Sequence, residues 1–266
     1  PETRAVVHFQ QVGDLVRRAK ELDMPAVALT DHGNMHGAIH FYRAAKKAGI
    51  RPVIGMEAYI TRGSRHDRGR KKGEPSHTDH LILLARNLEG YHNLVKLSSL
   101  AFLEGFYYKP RIDFELLAAN SAGLIGTTAC LRGTVAQSAL GESFEQACAC
   151  ALRYRDIFGE GNFYVEMQDH GLEPQKQLNE IYRRLAKATG LPLTVSNDVH
   201  YLGKDDAEAH EVLLCLQTGS DIDDPTRLRV TTTAPFFKTL DELRALFPDD
   251  EAAMRNTLAI AERCDV

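Results

Sequence analysis

The sequence predicts an α/β fold in which strands and helices alternate around a closed or nearly closed barrel. Short apolar runs rich in β-branched residues recur along the chain, amphipathic helical patterns separate them, and seven such runs precede residue 200. The chain has 266 residues, of which 44% are apolar, and this is enough for one large domain or two modest ones.

The individual elements follow from these patterns. Each strand is nearly continuous in apolar residues, which is typical of a parallel sheet buried on both faces. The predicted strands are 5–9, 26–30, 53–60, 80–85, 123–128, 162–167 and 192–197. The predicted helices are 12–22, 35–48, 90–103, 113–119, 143–157, 173–188 and 205–217.

The character of the chain changes after the last of these helices. A turn-rich stretch is followed by two short helical patterns, and Thr239 and Glu242 have the spacing of a capping box at the start of the first. We therefore predict a barrel domain over residues 1–218 and a small appendage over residues 219–266.

Composition limits the cellular setting and the partners. No run of eighteen apolar residues exists, so we expect no membrane span. The five cysteines are odd in number and scattered, which favours a reducing cytoplasm. The net charge of −4 argues against a surface that is basic throughout, but the stretch 62–72 is locally basic and could meet phosphate groups or be a solvated loop.

Side chains of the metal-ligand type fall at the ends of most predicted strands. Histidine, carboxylate and thiolate groups bind divalent cations such as Zn²⁺, Mn²⁺ or Fe²⁺. Asp198 and His200 are two residues apart in an extended segment, so both side chains point to one side. So many candidates exceed the needs of one tetrahedral ion, which favours a cluster of two or three metals that activates water for phosphate ester hydrolysis. The strand-end set is His8, Asp31, His32, Glu57, His80, Cys130, Glu166, Gln168, His170, Asn197, Asp198 and His200.

Each of these residues taken singly has a simpler interpretation. Asp31 could be only the N-cap of the helix that follows it. Cys130 could be a small buried apolar side chain. Isolated histidines such as His36 and His92 are more often surface residues than ligands. The coincidence of many such residues at one end of several strands is what favours a metal site.

The order of the motifs TDHGN, GMEAYI, HLILLA, TTACL and NDVHY resembles that of the PHP (polymerase and histidinol phosphatase) family. The longer stretches GYHNLVKLSSLAFLEGFYYKPRID and AEAHEVLLCLQTGSDIDDP resemble the PHP domains at the N-terminus of bacterial replicative DNA polymerase III alpha subunits. The resemblance implies a distorted seven-stranded βα barrel with a three-metal centre. A set of residues binds the metals, and Asp31 orients these ligands without binding a metal itself. The implied ligands are His32, Glu57, His80, Cys130, Asp198 and His200, with His8 as a further candidate.

The sequence departs from the family at the first motif. The family pattern is His-x-His followed by Ser-x-x-Asp-Gly, whereas this chain reads VVHFQQVGDLV, with His8 alone. Either the segment is deleted, or the numbering runs across residues that the printed sequence omits. We favour the second alternative because the first strand would otherwise enter the first helix with almost no loop.

Two functions are compatible with these expectations. The first is a metal-dependent phosphoesterase, most simply a 3′–5′ exonuclease acting at a DNA 3′ end, with Glu57, Asp198 and His200 as catalytic residues and pyrophosphate as a second possible substrate. The metals would be two or three Zn²⁺, Mn²⁺ or Fe²⁺ ions, with Mg²⁺ as a further candidate. Basic residues that could contact the DNA phosphates, or could simply be solvated, are Lys71, Lys72, Lys109 and Arg111.

The second function is a structural platform with little turnover. It would support the rest of a polymerase chain and dock replisome subunits such as a separate proofreading exonuclease or a sliding clamp. The carboxylates of a polymerase active site are not expected within these residues, so this chain would not itself synthesise DNA.

Overall fold

The computed structural model of the chain describes residues 11–69, 78–227, 232 and 234–266. It has a mixed α/β fold built on a curled seven-stranded sheet, which confirms the predicted fold class. The predicted strand 5–9 with His8 lies outside the described residues, as do Lys71 and Lys72. The strands are β1 (Ala26–His32), β2 (Arg51–Thr61), β3 (Thr78–Ala85), β4 (Arg111–Ile112), β5 (Leu124–Thr127), β6 (Phe163–Met167) and β7 (Leu193–Val195).

Ten α-helices occur among the described residues, and four of them begin at a polar side chain that caps the first turn. Asn87, Asp113 and Ser143 each accept a hydrogen bond from a backbone N–H in the first turn of the helix that follows. Thr239 and Glu242 form the predicted capping box. The helices are α1 (Val12–Glu21), α2 (Ala38–Ala48), α3 (Leu88–Leu103), α4 (Phe114–Ala119), α5 (Thr134–Gly141), α6 (Phe144–Phe158), α7 (Glu173–Thr189), α8 (Ala207–Thr218), α9 (Leu240–Leu246) and α10 (Glu251–Arg263).

The sheet has the order β1-β2-β3-β5-β6-β7, and β4 pairs with the second half of β2. Strands β1 and β2 are parallel, as are β5, β6 and β7. No pairing joins β1 to β7 among the described strands, so the described part of the sheet is a half-barrel. None of the helices in the described part of the chain is long and apolar enough to cross a membrane.

Strand β3 runs antiparallel to both of its neighbours, β2 and β5, and this corrects the all-parallel sheet that the apolar strands predicted. A parallel connection needs a crossover of a dozen or more residues, usually a helix. The described residues between β2 and β3, 62–69, contain no helix. Because β3 is reversed, its first residues lie beside the last residues of β2, and His80 pairs with Tyr59.

Helix α10 packs against the other end of these strands, away from His80 and Tyr59. Its residue Ile260, together with Cys264, forms a buried cluster with Val53, Leu84 and Ile125. Val53 is near the start of β2, Leu84 is near the end of the reversed β3, and Ile125 is near the start of β5. The C-terminal region thus contributes to the core of the sheet, while a domain boundary at residue 218 stays a prediction.

We expect Ile260→Ala to lower the free energy of unfolding by about 2–4 kcal/mol, because Ile260 is only 6% exposed and its loss leaves a cavity. Leu258 on the same helix is 48% exposed, so Leu258→Ala should cost less than about 0.5 kcal/mol. Urea unfolding monitored by circular dichroism measures both. If Ile260→Ala moved only a minor second transition, α10 would belong to a separate unit.

Candidate metal centre

The carboxylate of Glu57 is buried between two imidazoles. Glu57 is 4% exposed, and its Oε1 lies 3.3 Å from His32 Nδ1 and in closer contact with His80 Nδ1. One ligand atom from each of these residues lies within 4.8 Å of the others, and this is the group in the described residues that could hold a metal ion.

The strand pairing explains why these three side chains meet. His32 is the last residue of β1 and lies directly opposite Glu57 in the parallel pair. Glu57 and Tyr59 point to the same face of β2 because side chains alternate along a strand. His80 lies opposite Tyr59 in the antiparallel pair, so its side chain reaches Glu57 diagonally.

These side chains fit a divalent cation of the zinc type. Ligands about 2.0–2.1 Å from a tetrahedral Zn²⁺ lie roughly 3.3 Å from one another. The separation of His32 Nδ1 and Glu57 Oε1 is 3.3 Å. Two imidazole nitrogens and one carboxylate oxygen are also a donor set that zinc, manganese and iron accept.

The charges of the group also suit a cation. Burial would raise the pKa of Glu57, but hydrogen bonds to His32 and His80 outweigh it and hold the pKa well below its usual range. Burial would lower the pKa of His32, but the hydrogen bond to Glu57 outweighs it and raises the pKa. The carboxylate is therefore ionised and demands a positive partner, which a divalent ion could supply in place of a proton.

Cys130 joins the group through His80. Its Sγ lies 3.5 Å from His80 Nδ1. The loop that carries it is fixed to the start of β3, because the His80 N–H donates to the carbonyl oxygen of Arg132 at 2.9 Å. Burial, followed by the charges of Glu57 and Asp198, raises the pKa of the Cys130 thiol well above its usual value. A bound cation would be needed to stabilise the thiolate here.

Asp198 and His200 approach the group from the loop that follows β7. The ring centroid of His200 is 6.2 Å from that of His32. After burial and Glu57, the charge of Asp198 is the next influence on the pKa of both His32 and Cys130, and it raises both. The structure thus groups His32, Glu57 and His80 within 4.8 Å of one another, and Cys130, Asp198 and His200 lie near them without joining that group.

The backbone of the loop orients the His200 ring. Its Nδ1 lies 2.8 Å from the carbonyl oxygen of Asp198. A carbonyl oxygen only accepts, so Nδ1 of His200 donates the hydrogen in this bond.

One candidate ligand and one residue next to a candidate ligand have backbone angles that are unusual for non-glycine residues. Asp198 has φ of 43°, and Ala129, directly before Cys130, has φ of 58°. Such conformations persist where the surroundings hold them, and they cluster at functional sites.

The residues around His32 have distinct roles. Gly33 has φ of 68°, and a Cβ there would lie 2.8 Å from atoms of the Tyr59 ring and of Pro110, so only glycine fits the turn. The Asp31 carboxylate accepts a hydrogen bond from the Gly37 N–H at 3.0 Å, at the start of α2. Gly37, and not Asp31, is the N-cap residue of α2, so the capping alternative for Asp31 is wrong in that form. An orienting role toward the candidate metal ligands stays a prediction.

His170 and Glu166, also members of the strand-end set, serve the structure beneath the site. His170 Nε2 donates to the carbonyl oxygen of Asn197 at 2.8 Å, and its Nδ1 accepts from Gln175 at 3.0 Å, so both nitrogens are in use. Glu166 is 5% exposed and accepts hydrogen bonds from the hydroxyls of Thr127 and Ser196. Burial raises the pKa of Glu166.

Two of the basic residues predicted to contact phosphate are described by the structure. Lys109 lies at the site, and Arg111 does not. Lys109 Nζ is 3.4 Å from the Tyr59 hydroxyl, and its charge lowers the pKa of His32, after the larger effects of burial and of its acidic neighbours. Arg111 is 7% exposed and donates to the carbonyl oxygens of Gly105, Arg65 and Asp67. Arg111 therefore anchors the loop after β2 and has no exposed face for the phosphate contact predicted from the sequence.

Two features of the site were missed in the sequence. The Tyr59 ring packs on His80 at 5.2 Å between centroids and on His32 at 6.4 Å, and its position two residues after Glu57 in a strand could have indicated this. The segment 234–238 contacts the loop that carries Asp198 and His200. No local pattern indicates that contact.

Solved structures resemble the fold only loosely. An amidohydrolase from Chromobacterium violaceum covers 76% of this chain and 87% of its own, with a TM-score of 0.49 and 15% identity. A putative metal-dependent phosphoesterase from Bifidobacterium adolescentis covers 91% of both chains, with a TM-score of 0.46 and 12% identity.

Similarity in sequence is much stronger. DNA polymerase III subunit alpha of Borreliella burgdorferi is 43% identical over 256 residues, which are 96% of this chain and 22% of that protein. The Thermus aquaticus subunit of the same name is 44% identical over 258 residues, which are 95% of this chain and 21% of that protein. This chain thus spans about a fifth of the length of these relatives.

The family match covers four of the six candidate ligands in the described residues. The model of the PHP domain matches residues 9–170, which include β1 to β6 and the candidate ligands His32, Glu57, His80 and Cys130. This is more than half of the chain, and the chain therefore belongs to the PHP domain family.

Proposed function

We propose that this chain is a metal-dependent phosphoesterase domain that removes nucleotides from the 3′ end of DNA. The observation that carries the proposal is the buried Glu57 between His32 and His80, which requires a positive partner and has the spacing of metal ligands. Two or three divalent ions, with zinc, manganese and iron favoured over magnesium by the nitrogen and sulfur donors, would be held by this group together with Cys130, Asp198 and His200. When bound, such ions supply Lewis-acid chemistry that activates water and stabilises charge on phosphoryl oxygens.

The residues of the chain would divide the remaining work. Glu57 in the second half of β2, and Asp198 and His200 in the loop after β7, would hold the ions. Lys109 provides a positive charge beside the site, where a phosphate of the DNA strand would lie. The Gly33 turn lets Tyr59 pack closely against the ligands.

Similarity to DNA polymerase III alpha subunits supports a setting in bacterial DNA replication in the cytoplasm. The chain would be the PHP part of such a polymerase, with DNA synthesis carried out by other parts of the protein. Its partners would be DNA, the rest of the polymerase chain, and replisome subunits such as a separate proofreading exonuclease or a sliding clamp.

A structural platform is the second candidate. It is favoured if the first motif, which lies outside the described residues, lacks the ligands needed to complete a cluster. Metal would then stabilise the fold without turnover. Pyrophosphate is an alternative substrate for the same site and should be assayed beside DNA.

Substitution of His32 tests the ligand assignment. We expect His32→Ala to lower the number of bound metal ions, measured by mass spectrometry, while circular dichroism stays as in the parent chain. His40 is exposed on α2, so His40→Ala is a control that should change neither quantity. Unchanged metal content in His32→Ala would overturn the assignment.

Substitution of Asp198 tests the activity. Loss of residues that only support metal ligands typically costs 10–100-fold, so Asp198→Asn should lower degradation of labelled single-stranded DNA at least about 100-fold. Asp205 is exposed, and Asp205→Asn removes the same charge without touching the site. If the parent chain binds metal but degrades neither DNA nor pyrophosphate, the platform function replaces the nuclease.

Substitution of Lys109 tests the DNA contact. Each phosphate contact to a single strand contributes roughly 0.7 to the slope of log affinity against log salt. We expect Lys109→Met to weaken DNA binding and to reduce this slope by that amount, measured by fluorescence anisotropy at several salt concentrations. Lys47 is exposed on α2, so Lys47→Met should leave the slope unchanged. Equal slopes in Lys109→Met and Lys47→Met would argue against the contact.

A further inference from the structure

Residues 234–238, which we term the clamp segment, lie against the loop 197–202 that carries Asp198 and His200. The His200 N–H donates to the carbonyl oxygen of Pro235 at 2.9 Å, and the Phe237 N–H donates to that of Leu202 at 3.2 Å. The backbone of both segments is thus paired over a short stretch. This pairing joins the region of the predicted appendage to the candidate metal loop.

The buried side chain of Lys238 adds hydrogen bonds between the clamp segment and the loop. It is 4% exposed, and its Nζ donates to Asn197 Oδ1 at 2.9 Å and to the carbonyl oxygen of Ala234. The ammonium group also lies 4.7 Å from the centroid of the Phe236 ring. These contact partners are neutral, and burial lowers the pKa of Lys238 to about 8 against the opposing charges of Glu242 and Asp169. A methionine would fill the same space with an apolar side chain and without the cost of burying a charge. The ammonium group must therefore serve through its hydrogen bonds.

The group that Lys238 holds is Asn197, whose amide is fully used. Asn197 Oδ1 accepts from Lys238, and Asn197 Nδ2 donates to the carbonyl oxygen of Phe236 at 2.7 Å. The backbone carbonyl of Asn197 accepts from His170 Nε2 at 2.8 Å. A residue fixed on three sides leaves little freedom for the next one along the chain.

That next residue is Asp198, whose φ of 43° lies in the left-handed region that side chains other than glycine rarely adopt. Its carbonyl oxygen in turn orients the His200 ring through Nδ1 at 2.8 Å. The backbone conformation at Asp198 therefore sets the positions of both candidate ligands on this loop.

We propose that Lys238 is a positioning residue, which fixes Asn197 and thereby holds Asp198 and His200 in the arrangement that binds metal. The inference rests on the metal-binding role proposed above for these two residues. It makes the clamp segment part of the metal centre, although the segment lies outside the part of the chain that the PHP model matches.

Cobalt binding to the full 266-residue chain tests this role. Co²⁺ reports each ion by its visible absorption and can be titrated. We expect Lys238→Met to bind its weakest ion 10–100-fold less tightly, with an altered cobalt spectrum, because support of a ligand typically contributes that much. The ion held by His32, Glu57 and His80 should remain, which distinguishes a local effect from unfolding.

Lys204→Met is the matched control. Lys204 Nζ also lies 4.7 Å from the Phe236 ring centroid, but its side chain is 62% exposed and pairs with Glu242 at 3.5 Å. Lys204 makes no hydrogen bond to Asn197 among the described residues, so the Lys204→Met variant should bind cobalt as the parent chain does. Wild-type affinity and spectrum in Lys238→Met would overturn the proposal.

Two further variants separate the possible failures. If Lys238→Met does not fold, Asn197→Ala removes the acceptor and carries the same expectation, and wild-type cobalt binding by folded Asn197→Ala would overturn the proposal. If Asp198→Asn itself binds cobalt as the parent chain does, the metal-binding role of the loop is wrong. Loss of cobalt in Asp198→Asn with full binding in Lys238→Met rejects only the positioning role.

Discussion

The carboxylate of Glu57 is enclosed by two imidazoles at the edge of a sheet, and much of the local structure serves to keep it there. A buried carboxylate without a positive partner is strongly unfavourable. His32 reaches it through the parallel register of β1 and β2, and His80 reaches it because β3 is reversed. The Gly33 turn and the Cys130 loop are then packed around this group. These polar groups thus lie at one end of the strands, and α10 packs apolar side chains against the other end.

Much of this could be read from local sequence. The apolar runs located β1, β2, β3, β5, β6 and β7 because buried strands and amphipathic helices have distinct periods. The direction of β3 was wrong, since strand patterns carry no information about the neighbour's direction. That error would have placed His80, at the start of its strand, on the opposite edge from Glu57. Its inclusion with the ligands came from residue type and family resemblance, and the antiparallel pairing explains why it belongs there.

The residues that escaped prediction are those whose roles depend on distant partners. Arginine is a residue type that often contacts phosphate, yet the guanidinium of Arg111 is buried and donates hydrogen bonds to three carbonyl oxygens. Lys238 is 41 residues from Asn197, and neither has a motif that links them. The two-residue β4 is too short for a periodic pattern to reveal, and helix α5 was also missed. Local propensity finds elements, whereas tertiary contacts decide which polar side chains are structural.

The energetics of the cluster bear on whether the domain is a nuclease or a platform. Replacing a buried charged group by well-packed apolar residues is often neutral or stabilising, so a platform gains nothing from Glu57, His32 and His80 unless a cation binds them. Cation binding alone would stabilise the fold and would satisfy a platform. It would not, however, require Lys109 beside the ligands, because a positive side chain opposes the binding of a cation and favours that of an anion. In the proposed phosphoesterase, by contrast, Lys109 would have a use beside the candidate ligands, since its charge would attract a phosphate.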